Sequence, residues 1–204
     1  RHGQTATTGQ LLPGRAPGLH LADAGRAQAD KAAQRLGAMG GIAAVYASPL
    51  ERTRETAAPI GKAVGQRVRT NRGLLECEFG DWTGRKLADL NKLPEWKTVQ
   101  GAPSTFRFPG GESFTEMQTR ICSEIDRLVA KHPGERIVCV SHADPIKAAQ
   151  ALCDQHVGKM LLESAQLLCN AYDEPVGELR MQWLVLSPPE RAKLGLLPYK
   201  RTHY

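Results

Sequence analysis

The sequence contains no apolar run near the roughly 20 residues that a membrane-spanning helix needs. It has no basic-then-apolar leader ahead of a small-residue cleavage site. It has no low-complexity tract, internal repeat or linker-like stretch. Its five cysteines (Cys77, Cys122, Cys139, Cys153, Cys169) are an odd number, scattered singly with no CxxC pair. That spacing excludes a disulfide framework and a zinc knuckle, and leaves buried or idle thiols. There is also no Walker-type glycine loop, no DxD cluster, no HExxH and no GxSxG elbow. Nothing visible therefore requires a metal or a cofactor, and the hydrolase-triad reading of Ser141-His142 fails.

What remains is an ordinary globular composition of 204 residues, 41% apolar and 24% charged. Such a length fits one domain with a continuous core. We expect a soluble, cytoplasmic protein. The 27 Lys+Arg against 21 Asp+Glu leave a formal charge of +6, which suits acidic small molecules or weak nucleic-acid contact. The positive residues are dispersed, however, and only Lys200-Arg201-Thr202-His203 forms a patch. A nucleic-acid module is not visible, and neither is a membrane one.

The pattern alternates between helix and strand. Ala29, Ala32, Ala33 and Leu36 mark a helix over 22–36, with Gly40-Gly41 as its stop. Residues 42–47 form a short buried-strand run. A helix follows over 50–64, with Pro59 as an interruption, and 66–70 reads as a brief strand. Met117, Ile121, Ile125 and Leu128 place an amphipathic helix. Residues 136–140 read as a strand, 145–152 as a helix opened by Pro145, and 179–186 as a late strand. This order predicts an α/β/α sandwich on a largely parallel sheet, spanning 1–204 as one domain. The stretch 80–111, with three prolines, two tryptophans and a helical piece near 87–93, is expected to be a lid-like insertion. Trp82 and Trp96 either shape a pocket there or cover the core.

In parallel sheets, ligands bind beyond the carboxyl ends of the strands. His142 directly follows one such strand, and Arg52 lies just inside the helix after another. Glu76 stands at the mouth of the 80–111 stretch, with Glu78 as the competing carboxylate. The chain opens at Arg1-His2-Gly3 with no Met and no apolar segment ahead of it. A functional group at position 2 would be poorly held at a fraying end. We therefore expect that a strand precedes Arg1, which would bring Arg1 and His2 to the same rim. Two arginines, two histidines and a carboxylate suit phosphoryl chemistry. Guanidinium forks match phosphate oxygens, a neutral imidazole attacks phosphorus, and a cationic one adds a donor. A carboxylic acid of raised pKa protonates the leaving oxygen.

Five segments also carry a resemblance. Arg1-His2-Gly3-Gln4-Thr5 resembles the RHG(E/Q)T signature of the histidine phosphatase superfamily, in its phosphoglycerate-mutase-like branch. Residues 48–57 resemble its S-x-L-x-R-A-x-x-T-A segment, and 76–84 its E-x-x-F-G-x-W-x-G segment. Residues 109–113 resemble its P-x-G-E-S, and 140–142 its second-histidine motif. RHG alone is weak, whereas five motifs in family order over three quarters of the chain are specific. The resemblance implies a phosphoglycerate-mutase-like fold and a metal-independent phosphatase acting on a small phosphorylated metabolite. It implies His2 as the nucleophile that becomes phosphohistidine and Glu76 as the proton donor, with Arg1, Arg52 and His142 holding the phosphoryl group.

The chain departs from the family at two places. Thr8 stands where Asn is frequent, and Ala143-Asp144 where glycine follows the second histidine. A carboxylate beside His142 would favour its cationic form but repel an anionic substrate, so Asp144 is expected to point away. Arg15 reads equally as a substrate-touching residue and as a plain loop arginine, and Arg54 as a structural partner. Two other functions stay open. One is a phosphoglycerate mutase using the same phosphohistidine; its basic insertion, with a double arginine before a proline run, is not found in 80–111. The other is a catalytically idle phosphate-binding module on the same fold.

Overall fold

The computed structural model describes residues 1–156. The late strand expected over 179–186 and the basic tail lie outside the described residues. Three parallel strands, β1 (Ile42–Ala47), β2 (Val68–Thr70) and β3 (Arg136–Val140), form a sheet of order β2-β1-β3. Val45 stands opposite Val68 on one side and Val138 on the other, and Ala47 opposite Thr70 and Val140. This is the parallel α/β architecture expected from the alternation of elements.

Two layers of helix cover the sheet. On one face α1 (Asp23–Met39) and α2 (Glu51–Ala63) pack through Ala32, Ala33, Leu36, Ala57 and Ile60. The small alanines let both helices approach the sheet closely against Val45, Ala47, Val138 and Val140. A register shift between Ile42 and Ala44 sets two β1 residues against one of β3. That bulge reverses the parity of Ile42 and turns it to the same face as Val45. The other face carries α5 (Phe114–Lys131) and α6 (Ala143–His156), with Met117, Ile121, Leu128, Ala148 and Ala149 against Ala44 and Tyr46.

Several boundaries differ from the sequence reading. α2 runs unbroken across Pro59 to Ala63. α6 begins at Ala143, so Pro145 lies inside its first turn, where a missing N–H costs nothing. The strand expected over 66–70 is only Val68–Thr70. Residues 80–111 contain two short helices, α3 (Leu87–Leu90) and α4 (Pro94–Gly101), and their apolar side chains are in the core. Trp82 is buried there among all four phenylalanines, Phe79, Phe106, Phe108 and Phe114. Ring centroids from Phe79 through Phe108 to Phe114 are 4.8 and 5.1 Å apart, at edge-to-face angles. The cluster anchors the segment that carries Glu76. α5 starts with a capping box, in which Ser113 Oγ accepts from Glu116 N–H and Glu116 Oε2 accepts from Ser113 N–H. No helix among the described residues is long and apolar enough to cross a membrane.

Candidate active site

The site lies at the carboxyl ends of β1 and β3. Val140 O accepts from Ser48 N–H; the next carbonyl, Ser141 O, points the other way and accepts from His2 N–H at 3.0 Å. Gly3 N–H donates to Thr56 Oγ1 at 3.0 Å, which ties the same segment to α2. A side chain at residue 3 would not fit, because a Cβ there would fall 2.4 Å from Gly25 O on α1. His2 is thus held by β3, α1 and α2 together. Its Nδ1 lies 2.8 Å from Gly3 O and donates to it, which leaves Nε2 as the unprotonated ring nitrogen.

Arg52, in the first turn of α2, is completely buried. Its Nε–H points at His2 Nε2 over 3.3 Å, and its Nη2 donates to Gly14 O at 2.7 Å. His142, also completely buried, sits with its ring centroid 5.2 Å from that of His2. His142 Nε2 is 2.9 Å from Ser48 Oγ, and its Nδ1 is 3.9 Å from Glu76 Oε2. Glu76 is buried, its Oε1 accepting from Cys77 N–H at 2.9 Å. Arg1 is exposed and acts on the group through its charge. Four of the five residues named from the sequence therefore meet in one cluster, and the charge of Arg1 reaches it. Two buried nitrogens in it, Arg52 Nη1 and His142 Nδ1, have no hydrogen-bond partner among the described residues.

Burial dominates the protonation states. It pushes His2 down to about 3, with help from the Arg52 charge, so the imidazole is neutral across the physiological range. His142 is also pushed well below its ordinary value, first by burial and then by His2 and Arg52. The expectation of a cationic His142 is thereby corrected. Glu76 rises to about 8, through burial and then the negative charge of Asp144, against the opposing Cys77 N–H, Arg52 and Arg1. Asp144 is itself raised by burial, against the charges of Lys147 and Arg1. It was expected to turn away from the site, yet it lies close enough to act on Glu76. Its place in the first turn of α6, two residues after His142, brings it there. A neutral imidazole and a carboxyl held protonated at neutral pH thus share the cluster with the two unpartnered nitrogens.

A profile of the histidine phosphatase superfamily (branch 1) matches residues 1–167. The chain belongs to the histidine phosphatase superfamily. It is 37% identical over 150 residues to the bifunctional protein Rv2228c of Mycobacterium tuberculosis, covering 72% of this chain and 41% of that protein. The chain therefore spans about two fifths of the length of that curated relative. Phosphoserine phosphatase 1 of Hydrogenobacter thermophilus is 31% identical over 130 residues, which is 63% of this chain and 61% of that protein. Among solved structures, the complex of mycobacterial glucosyl-3-phosphoglycerate phosphatase with inorganic phosphate superposes with a TM-score of 0.66. It shares 28% identity with this chain and covers 83% of it and 80% of its own chain.

Within this histidine phosphatase fold, several residues near the cluster were not singled out from the sequence. Ser48 orients His142, and Thr56 holds Gly3 while donating to Arg52 O at 2.7 Å. Both are members of the quoted segment 48–57, so their spacing from Arg52 was the available signal. Arg15, left open between two readings, donates from Nε to Glu76 O at 2.8 Å and pairs with Glu78 at 3.0 Å. Glu78 is engaged there, 38% exposed in its side chain, while Glu76 faces His142. Cys77, Cys122 and Cys139 form no disulfide among the described residues. Burial raises Cys77 and pushes Cys139 up to about 12, so neither is a thiolate at neutral pH.

Proposed function

We propose that the protein hydrolyses a small phosphomonoester by way of a phosphohistidine on His2. The observation that carries this reading is the pair of buried, unpartnered donors, Arg52 Nη1 and His142 Nδ1, beside a neutral His2 imidazole. A buried donor without an acceptor costs stability, about 1–3 kcal/mol, and an anion with several oxygens removes that cost. We assign the Ser48 hydroxyl, 2.9 Å from His142 Nε2, as the donor of that pair, which leaves the proton on Nδ1 for phosphate. Arg1 and Arg52 supply the positive charge, so no step is assigned to a metal or cofactor.

His2 Nε2 attacks phosphorus while the bond to the ester oxygen breaks. The leaving oxygen takes its proton from Glu76, which becomes a carboxylate. That carboxylate then accepts a proton from water as the water oxygen attacks phosphorus, and the P–N bond electrons return to Nε2. Inorganic phosphate leaves, and both residues are restored. A pKa of about 8 keeps Glu76 mostly protonated at neutral pH, as the first step needs.

Phosphate release from small phosphomonoesters, assayed in excess EDTA, tests the reading. We expect release. Isomerisation of a phosphorylated sugar acid without release would make the protein a mutase instead. Binding of phosphate with neither activity would make it an idle module.

A further inference from the structure

Glu76 belongs to residues 75–79, which form neither helix nor strand, so no backbone ladder fixes it. Two arginines from distant parts of the chain do so. Arg120, on α5, donates from Nη1 to Gly73 O and Leu75 O, each at 2.9 Å. Its Nη2 reaches Glu76 O at 3.2 Å, and Arg15 Nε donates to that oxygen at 2.8 Å. Three carbonyls around the Glu76 side chain are thus gripped by one guanidinium.

Glu112 holds the gripping residue in turn. Its carboxylate takes Arg120 in a fork, Nε to Oε1 and Nη2 to Oε2, both at 3.0 Å. The same carboxylate pairs with Arg15 Nη2 at 2.9 Å and accepts from Glu78 N–H at 3.0 Å. Glu112 N–H donates to Glu78 O at 2.8 Å, which pins the other end of the segment. Arg15 and Arg120 together balance Glu78 and Glu112 in charge. The charges that act most on Glu76 are those of Asp144, Arg52 and Arg1. The network therefore acts on the place of Glu76 rather than on its electrostatics. Proton transfer requires heavy atoms about 2.6–3.2 Å apart, so place matters.

We propose that Arg120, clamped by Glu112, is a positioning residue for Glu76, fixing its carboxyl by holding the carbonyls of residues 73, 75 and 76. The proposal rests on the reading of Glu76 as proton donor. Lysine cannot serve in this role, because a single ammonium cannot span three carbonyls and a carboxylate fork.

The test is Arg120→Lys, with Glu112→Gln as a milder second variant. Carbon-13 NMR follows the Glu76 carboxyl titration, assigned by its loss in Glu76→Gln. We expect the midpoint to fall from about 8 toward the ordinary carboxylate range, as the loosened carboxyl reaches water. We also expect turnover of an alkyl phosphate to fall about 10²-fold, that of an activated aryl phosphate by much less, and KM to hold. An unchanged Glu76 midpoint in folded Arg120→Lys overturns the proposal. Equal losses on both esters do so too. The titration needs no turnover, so wild-type protein that releases no phosphate refutes the proposed function while the midpoint still decides the role of Arg120. Should Arg120→Lys not fold, the Glu112→Gln midpoint decides alone, a fall supporting the clamp and constancy refuting it.

Discussion

Arg52 Nε lies 3.3 Å from His2 Nε2, so one buried guanidinium touches the attacking nitrogen and carries an unpartnered Nη1 beside it. The contact depresses the basicity of His2 and orients its lone pair. With Nη2 held by Gly14 O, it leaves Nη1 for a phosphate oxygen. Replacing Arg52 by lysine keeps the charge and loses both functions. We expect kcat to fall by about 10²–10³, the effect of removing one preorganised donor from a transition state. Steady-state kinetics check this, and a rate close to wild type would mean that charge alone suffices.

Glu76→Gln removes the transferable proton but keeps the shape. The expected loss is about 10²–10⁴ in kcat, largest for esters with poor leaving groups. A comparison of alkyl and aryl phosphates measures it. Glu78→Gln should cost less, since Glu78 is half-exposed and paired with Arg15. The reverse order would show that Glu78 is the acid.

The pH dependence follows from two shifts of opposite sign. His2 must be neutral, which holds above about 3, and Glu76 must be protonated, which holds below about 8. The log of kcat/KM should therefore decline as pH rises through about 8. Asp144→Asn removes a negative charge that raises Glu76, so the alkaline limb should move to lower pH. Because the two carboxyls interact, the limb reports the pair rather than either group alone. A limb that stays in place in the variant would show that Asp144 does not act on the acid.

Much of this was legible before any coordinates. The strands at 42–47 and 136–140 are apolar runs bounded by turn residues, and their ends carry Arg52 and His142 within a few positions. Residues whose partners are distant in sequence were not legible. Arg120 sits between Met117 and Ile121 on α5 and looks like a solvated helix arginine, yet its acceptors lie 44–47 residues earlier. Asp144 is expected from anion repulsion to turn away, whereas its charge, placed in the first turn of α6, acts on Glu76. Of the short helices in 80–111, the piece near 87–93 was legible, but α4 was not, because its apolar residues Trp96 and Val99 pack on an aromatic cluster and too few turns exist to show a period.

Ser113→Ala separates stability from chemistry. It breaks the capping box of α5 at a cost of about 1 kcal/mol. That corresponds to a Tm lower by about 2–4 °C, with kcat essentially retained. Calorimetry beside an activity assay reads both. A large activity loss without a Tm change would mean that Ser113 acts on the neighbouring Glu112 rather than on the helix.

The most direct measurement is to trap the phosphoenzyme. Wild-type protein mixed with a turned-over phosphomonoester, quenched in base and examined by phosphorus NMR and peptide mass spectrometry, should carry phosphate on His2. His2→Ala should carry none and release no phosphate. Steady release of phosphate with His2 unmodified, or turnover surviving in His2→Ala, would contradict the covalent route.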